Sequence, residues 1–295
     1  MRQVELVNVD LICPALMAGN GEPVILLHGF PDTYENWAVQ INALADAGYT
    51  AIAPALRGYA PSCQPSNGDY SLYAAVDDLM VFAAQLGGRV HLVGHDWGAA
   101  VGYLACAQSP ETFCSFSALS IPPIRRIPQA LLKVPEQVLL SGYMQFFQLP
   151  LAPEAWLKRG DLDGVEALWR RWSPDWEPEL YMDNAKHTLA EPGVISAALA
   201  WYRSLFKVWK KEHRKARAWL GQDIATPTQI LIGENDGCMS PKLPGPPPGR
   251  SELSGGVGAQ NLAGGRPFPP LGPPGGATPP CVCCPINPPS AGTAA

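Results

Sequence analysis

Residues Leu92 to Ala100 read LVGHDWGAA, with Asp96 at the centre. The run that leads into it, Arg89 to Asp96 (RVHLVGHD), has the apolar content of a strand buried on both faces. The run that follows, Trp97 to Gln108 (WGAAVGYLACAQ), is a helix of small residues. Gly94 and Gly98 stand two residues either side of the aspartate. A strand that turns straight into a helix tolerates only small residues there, because a larger side chain would strike neighbouring backbone. Such a turn lifts the central side chain above the sheet edge. The helix directs its free N–H groups and positive end at the same point. A simple helix cap at Asp96 would not require the glycine pair.

The pattern extends outward in both directions. PVILLHG (Pro23–Gly29), YTAIAPALRG (Tyr49–Gly58), FCSFSALSIPP (Phe113–Pro123) and PTQILIGEND (Pro227–Asp236) each carry an apolar strand run. SLYAAVDDLMVFAAQLG (Ser71–Gly87) has helical spacing, with Leu72, Val76, Leu79, Met80 and Ala83 on one stripe and Gly87 as a stop. Alternating strand and helix predicts an α/β fold: a mostly parallel twisted sheet with helices on both faces. Residues 122–217 break the rhythm with helical spacing and no strand run, and read as an inserted helical unit. Trp169, Trp172, Trp176, Trp201 and Trp209 supply its apolar mass. The sheet domain is then 1–121 plus 218–243. In residues 244–295 proline and glycine make up about half of the composition, which predicts a disordered tail.

Composition narrows the function classes. The 295 residues carry a net charge of −5 and 47% apolar residues. That argues against nucleic acid or an anionic membrane as the main partner. The basic run Lys210–Arg217 reads as the solvated face of a helix. No window holds about 18 uncharged apolar residues, so no membrane span is expected. The N-terminus reads as strands and the cytoplasm is the expected location. Cys13, Cys63, Cys106, Cys114 and Cys238 read as free thiols. Cys281, Cys283 and Cys284 lack the spacing of a zinc site, and no metal is expected.

An aspartate raised on such a turn can attack a saturated carbon and form an alkyl ester. Hydrolysis of that ester then needs an oxyanion hole and a base. The Trp97 N–H is one oxyanion donor. HGFPD (His28–Asp32) offers a second, the Phe30 N–H, on the turn that begins with His28 and Gly29. Asp236 ends the last strand run and stands before Gly237, where an aspartate can also simply form the turn.

HGFPD, ALRGYAPS (Ala55–Ser62), GHDWGAA (Gly94–Ala100, including His95) and PTQILIGEND resemble, in order and spacing, the α/β hydrolases of the epoxide hydrolase branch. The resemblance spans Val4 to Leu243. It implies a cofactor-free hydrolase, monomeric or homodimeric, that opens a small apolar epoxide to a diol. It makes 122–217 a cap whose tyrosines donate hydrogen bonds to the epoxide oxygen. LAWYRS (Leu199–Ser204) matches such a segment and nominates Tyr202. The second tyrosine position, in YMQFFQLP (Tyr143–Pro150), is filled by Phe146, and Tyr143 lies one helical turn earlier. The family keeps the acid of its triad just past the last strand run, which nominates Asp236, in the chain order nucleophile, acid, histidine; a further helix, a strand and the base histidine follow it. Here the five histidines are His28, His91, His95, His187 and His213, none after Asp236. The expectation is a sheet without its last strand and helix, and an enzyme with impaired hydrolysis. Haloalkane dehalogenase chemistry and a non-catalytic ligand-binding hydrolase relative are the alternatives.

Overall fold

The computed structural model describes residues 1–127, 132–173, 179–207, 209, 211–233, 235–240, 242–243 and 257–262. Eight strands form one sheet: β1 (Arg2–Asn8), β2 (Leu11–Ala18), β3 (Pro23–Leu27), β4 (Thr50–Pro54), β5 (Val90–His95), β6 (Phe113–Leu119), β7 (Thr228–Gly233) and β8 (Val257–Leu262). Their order is β1-β2-β4-β3-β5-β6-β7-β8. The β1–β2 and β2–β4 pairs are antiparallel, and every other pair is parallel. The helices between the first six strands are α1 (Ala38–Asp46), α2 (Leu72–Gln85) and α3 (Trp97–Gln108). Ser71 caps α2, accepting a hydrogen bond from Ala74 N–H. Nearly every residue of α3 is buried, which is why its sequence is apolar all round.

Seven α-helices with bounds among the described residues separate β6 from β7: α4 (Pro135–Leu140), α5 (Tyr143–Phe146), α6 (Ala152–Leu157), α7 (Asp163–Trp172), α8 (Glu179–Ala190), α9 (Val194–Leu205) and α10 (Lys211–Leu220). Tryptophans fix them to the sheet domain. Trp169 on α7 donates to Pro31 O at 2.8 Å, and Trp201 on α9 donates to Arg57 O at 3.1 Å. Both rings are buried, each stabilising by roughly 2–3 kcal/mol through area alone. Arg57 is held in turn by a buried two-pronged pair with Asp78 on α2, at 2.7 Å for each contact. On α10, Trp219 stacks on Tyr73 of α2 at 5.2 Å, so the end of this helix returns to the sheet domain.

Two expectations are corrected. The sheet does not stop at β7. Val257–Leu262 runs parallel to Thr228–Gly233 along its whole length. A lone β7 edge would leave a row of unpaired backbone groups, and a neighbouring strand satisfies them. The strand was hidden in sequence because VGAQNL is short, glycine-flanked and poor in β-branched residues. The remaining expected tail, residues 244–256 and 263–295 with Cys281, Cys283 and Cys284, lies outside the described residues. Second, Cys13 and Cys63 form a disulfide rather than two free thiols, with Cα atoms 4.9 Å apart. The loop after β4 folds back on β2, bringing together cysteines 50 residues apart. Cys106, Cys114 and Cys238 are free. No helix among the described residues is long and apolar enough to cross a membrane.

Candidate active site

The parallel register aligns the C-terminal ends of four strands. Leu27 of β3 pairs with Gly94 of β5, His95 with Leu119 of β6, and Leu119 with Leu231 of β7. The candidate residues sit just beyond these ends. Asp96 follows β5 with φ +50° and ψ −113°, a backbone conformation that side chains rarely adopt. The flanking glycines make that turn possible. A Cβ on Gly94 would meet the Gly98 carbonyl, and one on Gly98 would meet the Leu27 carbonyl. Gly29 is equally tight, because a Cβ there would strike the Asp96 side chain.

Phe30 N–H donates to Asp96 Oδ2 at 3.0 Å. Burial raises the Asp96 carboxyl to about 6, and the Phe30 and Trp97 N–H groups pull against that rise. Asp96 and Trp97 line a cavity of about 270 Å³ with Tyr143, Tyr202, Gln137 and Met239 among its walls. Apart from Asp96, no described lining residue carries a charge. A roomier hollow around Lys186 and Asp161 contains none of the candidate residues.

The two tyrosines come together from different helices. Tyr202 on α9 packs edge-on against Phe30, Trp97 and Phe147, with centroids 5.5, 4.8 and 5.1 Å apart. Tyr143 on α5 lies 5.8 Å from Tyr202 and 4.9 Å from Trp172. Burial raises both phenols well above their usual pKa, and the Asp96 charge adds to each shift. Phe146, which fills the second tyrosine position, packs on Trp156 and Phe147 instead.

Asp236 lies past β7. Its Oδ1 accepts from Cys238 N–H and Met239 N–H, both at 2.8 Å. Its Oδ2 is buried without a well-formed hydrogen bond among the described residues. Burial pushes this carboxyl up to about 7, against the lowering effect of the two N–H groups and the nearby Ser120 hydroxyl. Asp32 is also raised to about 7 by burial, despite bonds from Asn36 and Thr33.

The histidines have other positions. His28 Nε2 accepts from Leu56 N–H at 3.0 Å, which leaves Nδ1 to donate to Gly29 O at 3.0 Å. Burial lowers its pKa to about 4, so it is a neutral strut of the turn. His91 meets Ser115 Oγ and Glu22, and buried His95 stands 3.9 Å from Asp32 Oδ2. His187 is exposed on α8, and the His213 side chain lies outside the described residues. Sequence reasoning passed over Gln137, Cys238 and Met239. The one available signal was an amide and a hydroxyl four residues apart, Gln137 and Ser141, on either side of the apolar run Val138–Leu140. Among the described residues no group of His, Cys, Asp and Glu could hold a metal ion.

Residues 22–246 match the alpha/beta hydrolase fold family. The chain is 35% identical over 191 residues to the AB hydrolase superfamily protein YfhM of Bacillus subtilis, covering 64% of this chain and 67% of that one. It is 38% identical over 243 residues to Epoxide hydrolase 2 of Siraitia grosvenorii, covering 74% of this chain and 76% of the relative. It is 28% identical to human Epoxide hydrolase 4 over 76% of this chain, but spans only 62% of that relative's length. The crystal structure of epoxide hydrolase VrEH1 from Vigna radiata superposes with a TM-score of 0.64 at 27% identity, covering 79% of each chain. The sheet order, the tight turn at Asp96 and these likenesses agree: the chain belongs to the α/β hydrolase fold family, in its epoxide hydrolase-like branch.

Proposed function

We propose that this chain opens small apolar epoxides by forming an alkyl ester on Asp96. The observation that carries the reading is the placement of Asp96. Its carboxylate sits on a strained turn, with Phe30 N–H on one oxygen, facing a cavity with no other charged residue among those described. The ionised oxygen attacks an epoxide carbon, and the C–O bond breaks as the C–O(Asp96) bond forms. Tyr202 and Tyr143 donate hydrogen bonds to the departing oxygen, and one of them gives up its proton. Their high pKa keeps both hydroxyls protonated until that step. Phe30 and Trp97 N–H then hold the oxyanion as water attacks the ester.

Asp236 is the acid of this reading, and its Oδ2 is the atom that would orient a base histidine. No histidine follows Asp236 in this sequence, and His28 and His91 are engaged elsewhere. The reading therefore gives fast alkylation and slow ester hydrolysis. The helices that carry Tyr143 and Tyr202 act as the cap. The ligand is a small uncharged molecule.

A second reading keeps Asp96 as nucleophile and replaces the epoxide with a haloalkane. One observation favours it: Trp97 lines the cavity, and its Nε1 is a buried donor with no partner among the described residues. Such a donor can hold a departing halide. Phe30 offers no second side-chain donor. Incubating the chain separately with an aryl epoxide and a matched primary haloalkane, and measuring diol, alcohol, halide and intact mass, tests both readings. Modification by the epoxide alone supports the first. Halide release supports the second. No change of either substrate or protein contradicts both.

A further inference from the structure

Gln137 is a deeply embedded polar side chain at the cavity wall that the reaction above does not use. It is 1% exposed and is the residue of α4 that lines the cavity, with Ser141 beside it. Its amide is fully employed. Nε2 donates to Cys238 O at 3.0 Å and to Ser141 Oγ at 2.9 Å, and Oε1 accepts from Ser240 N–H at 2.7 Å. The orientation is fixed by its partners: a flipped amide would set oxygen against the Cys238 carbonyl and NH2 against the Ser240 N–H. Glu136 reinforces the contact from the same helix, reaching Ser240 Oγ and Lys242 Nζ.

These bonds join two parts of the site. The loop 237–240 supplies the N–H groups that hold Asp236 Oδ1. The same loop places Cys238 Sγ 3.7 Å from the Tyr143 hydroxyl. Ser141, the other acceptor of Gln137, begins the turn that leads into α5 and Tyr143. Gln137 thus grips both sides of one junction, the acid loop and the approach to a tyrosine.

Building on the epoxide reading, we propose that Gln137 is a positioning residue: it clamps loop 237–240 to α4 and so sets the Tyr143 hydroxyl and Asp236 in one arrangement. It touches no substrate atom in this role. Its effect passes through Cys238, Ser141 and Ser240.

Gln137→Met keeps the length of the side chain and removes the donors and the acceptor. Two measurements on the full chain test the proposal. The first is mass-mapped labelling by iodoacetamide, comparing Cys238 with buried Cys106 on α3. The clamp predicts that Cys238 labelling rises about tenfold while Cys106 does not, the scale expected when hydrogen bonds worth about 1.4 kcal/mol are lost. Equal rises at both cysteines, or none at Cys238, overturn the clamp whatever the chemistry at Asp96. The second is the rate of adduct formation on Asp96 with an aryl epoxide. The saturating rate should fall about tenfold with the half-saturating concentration nearly unchanged. In a Tyr143→Phe background the same substitution should cost almost nothing further, because both act on one hydroxyl. A full additional loss there overturns positioning through Tyr143. If the parent chain forms no adduct while Cys238 labelling still rises selectively, the epoxide reading fails and the clamp stands. If Gln137→Met does not fold, Gln137→Glu serves instead: it retains an acceptor for Ser240 N–H, loses the donor to Cys238 O, and carries the same labelling prediction.

Discussion

Asp96, partly buried, and Asp236, buried, both stand at the ends of strands in one sheet, yet they are held in different ways. Asp96 is fixed by its own neighbourhood in sequence: glycines two residues away, a strand before it and a helix after it. Its remaining contact, Phe30 N–H, comes from the adjacent strand end. Asp236 is fixed at second hand. Its partners are N–H groups of a loop that is gripped by Gln137 and Glu136, about a hundred residues earlier, and by Trp172 O on Gly237 N–H. One oxygen of Asp96 meets its donor, whereas one oxygen of Asp236 has none of good geometry among the described residues. The proposed nucleophile is built by a short motif. The proposed acid depends on distant parts of the chain arriving in place.

The contrast can be broken first at its rigid end. Gly98→Ala puts a Cβ into the Leu27 carbonyl, and neither backbone can retreat cheaply. It should destabilise the fold by about 3 kcal/mol, read as a lower urea midpoint. A neutral effect would mean the turn is looser than described. The tyrosines come next. Tyr202→Phe and Tyr143→Phe should each slow Asp96 adduct formation by roughly ten- to a hundredfold, since each removes one donor to the departing oxygen. Equal rates in parent and variants would remove the tyrosines from the reaction.

Titration sharpens the comparison further. Attack requires ionised Asp96, whose pKa is raised to about 6. Adduct formation should therefore be level above pH 7 and fall about tenfold per unit below about 6. A profile flat down to pH 4.5 would place the nucleophile elsewhere. Asp236 gives the smallest effect and an opposite lesson. Its folded pKa, about 7, lies above the ordinary 3.8, so the folded state binds the proton more tightly. Its contribution to stability is complete below about pH 4 and is lost as pH rises toward about 7. Asparagine cannot ionise and still offers an oxygen to Cys238 and Met239 N–H. Asp236→Asn should thus stabilise by about 1 kcal/mol at pH 8 and change little at pH 4, in urea titrations at both pH values. Destabilisation at pH 8 would show that the charge is well accommodated.

The same division explains what could be read from the residues in order. Strand runs such as PVILLHG and RVHLVGHD announce themselves, because a doubly covered strand must be apolar throughout. The turn at Asp96 is legible because sterics demand glycine on both sides. Tyr202 was legible from LAWYRS, and Tyr143 from its place one turn before Phe146. Gln137 was illegible because its function lies in contacts with Cys238 and Ser240, over a hundred residues on. The Cys13–Cys63 disulfide was missed for a like reason, since only the folded loop brings the pair together. β8 was missed because its pairing rests on backbone bonds, which leave little mark on side-chain pattern.

The most direct test of the account is the intact mass of the purified chain after incubation with a small aryl epoxide, beside an Asp96→Ala control. The account predicts a persistent adduct one substrate mass heavier, mapped to Asp96, absent from the control and accompanied by little diol. Rapid diol formation with no lasting adduct would contradict the claim that this site lacks an effective base. An unmodified chain with no diol would contradict the claim that Asp96 attacks carbon at all.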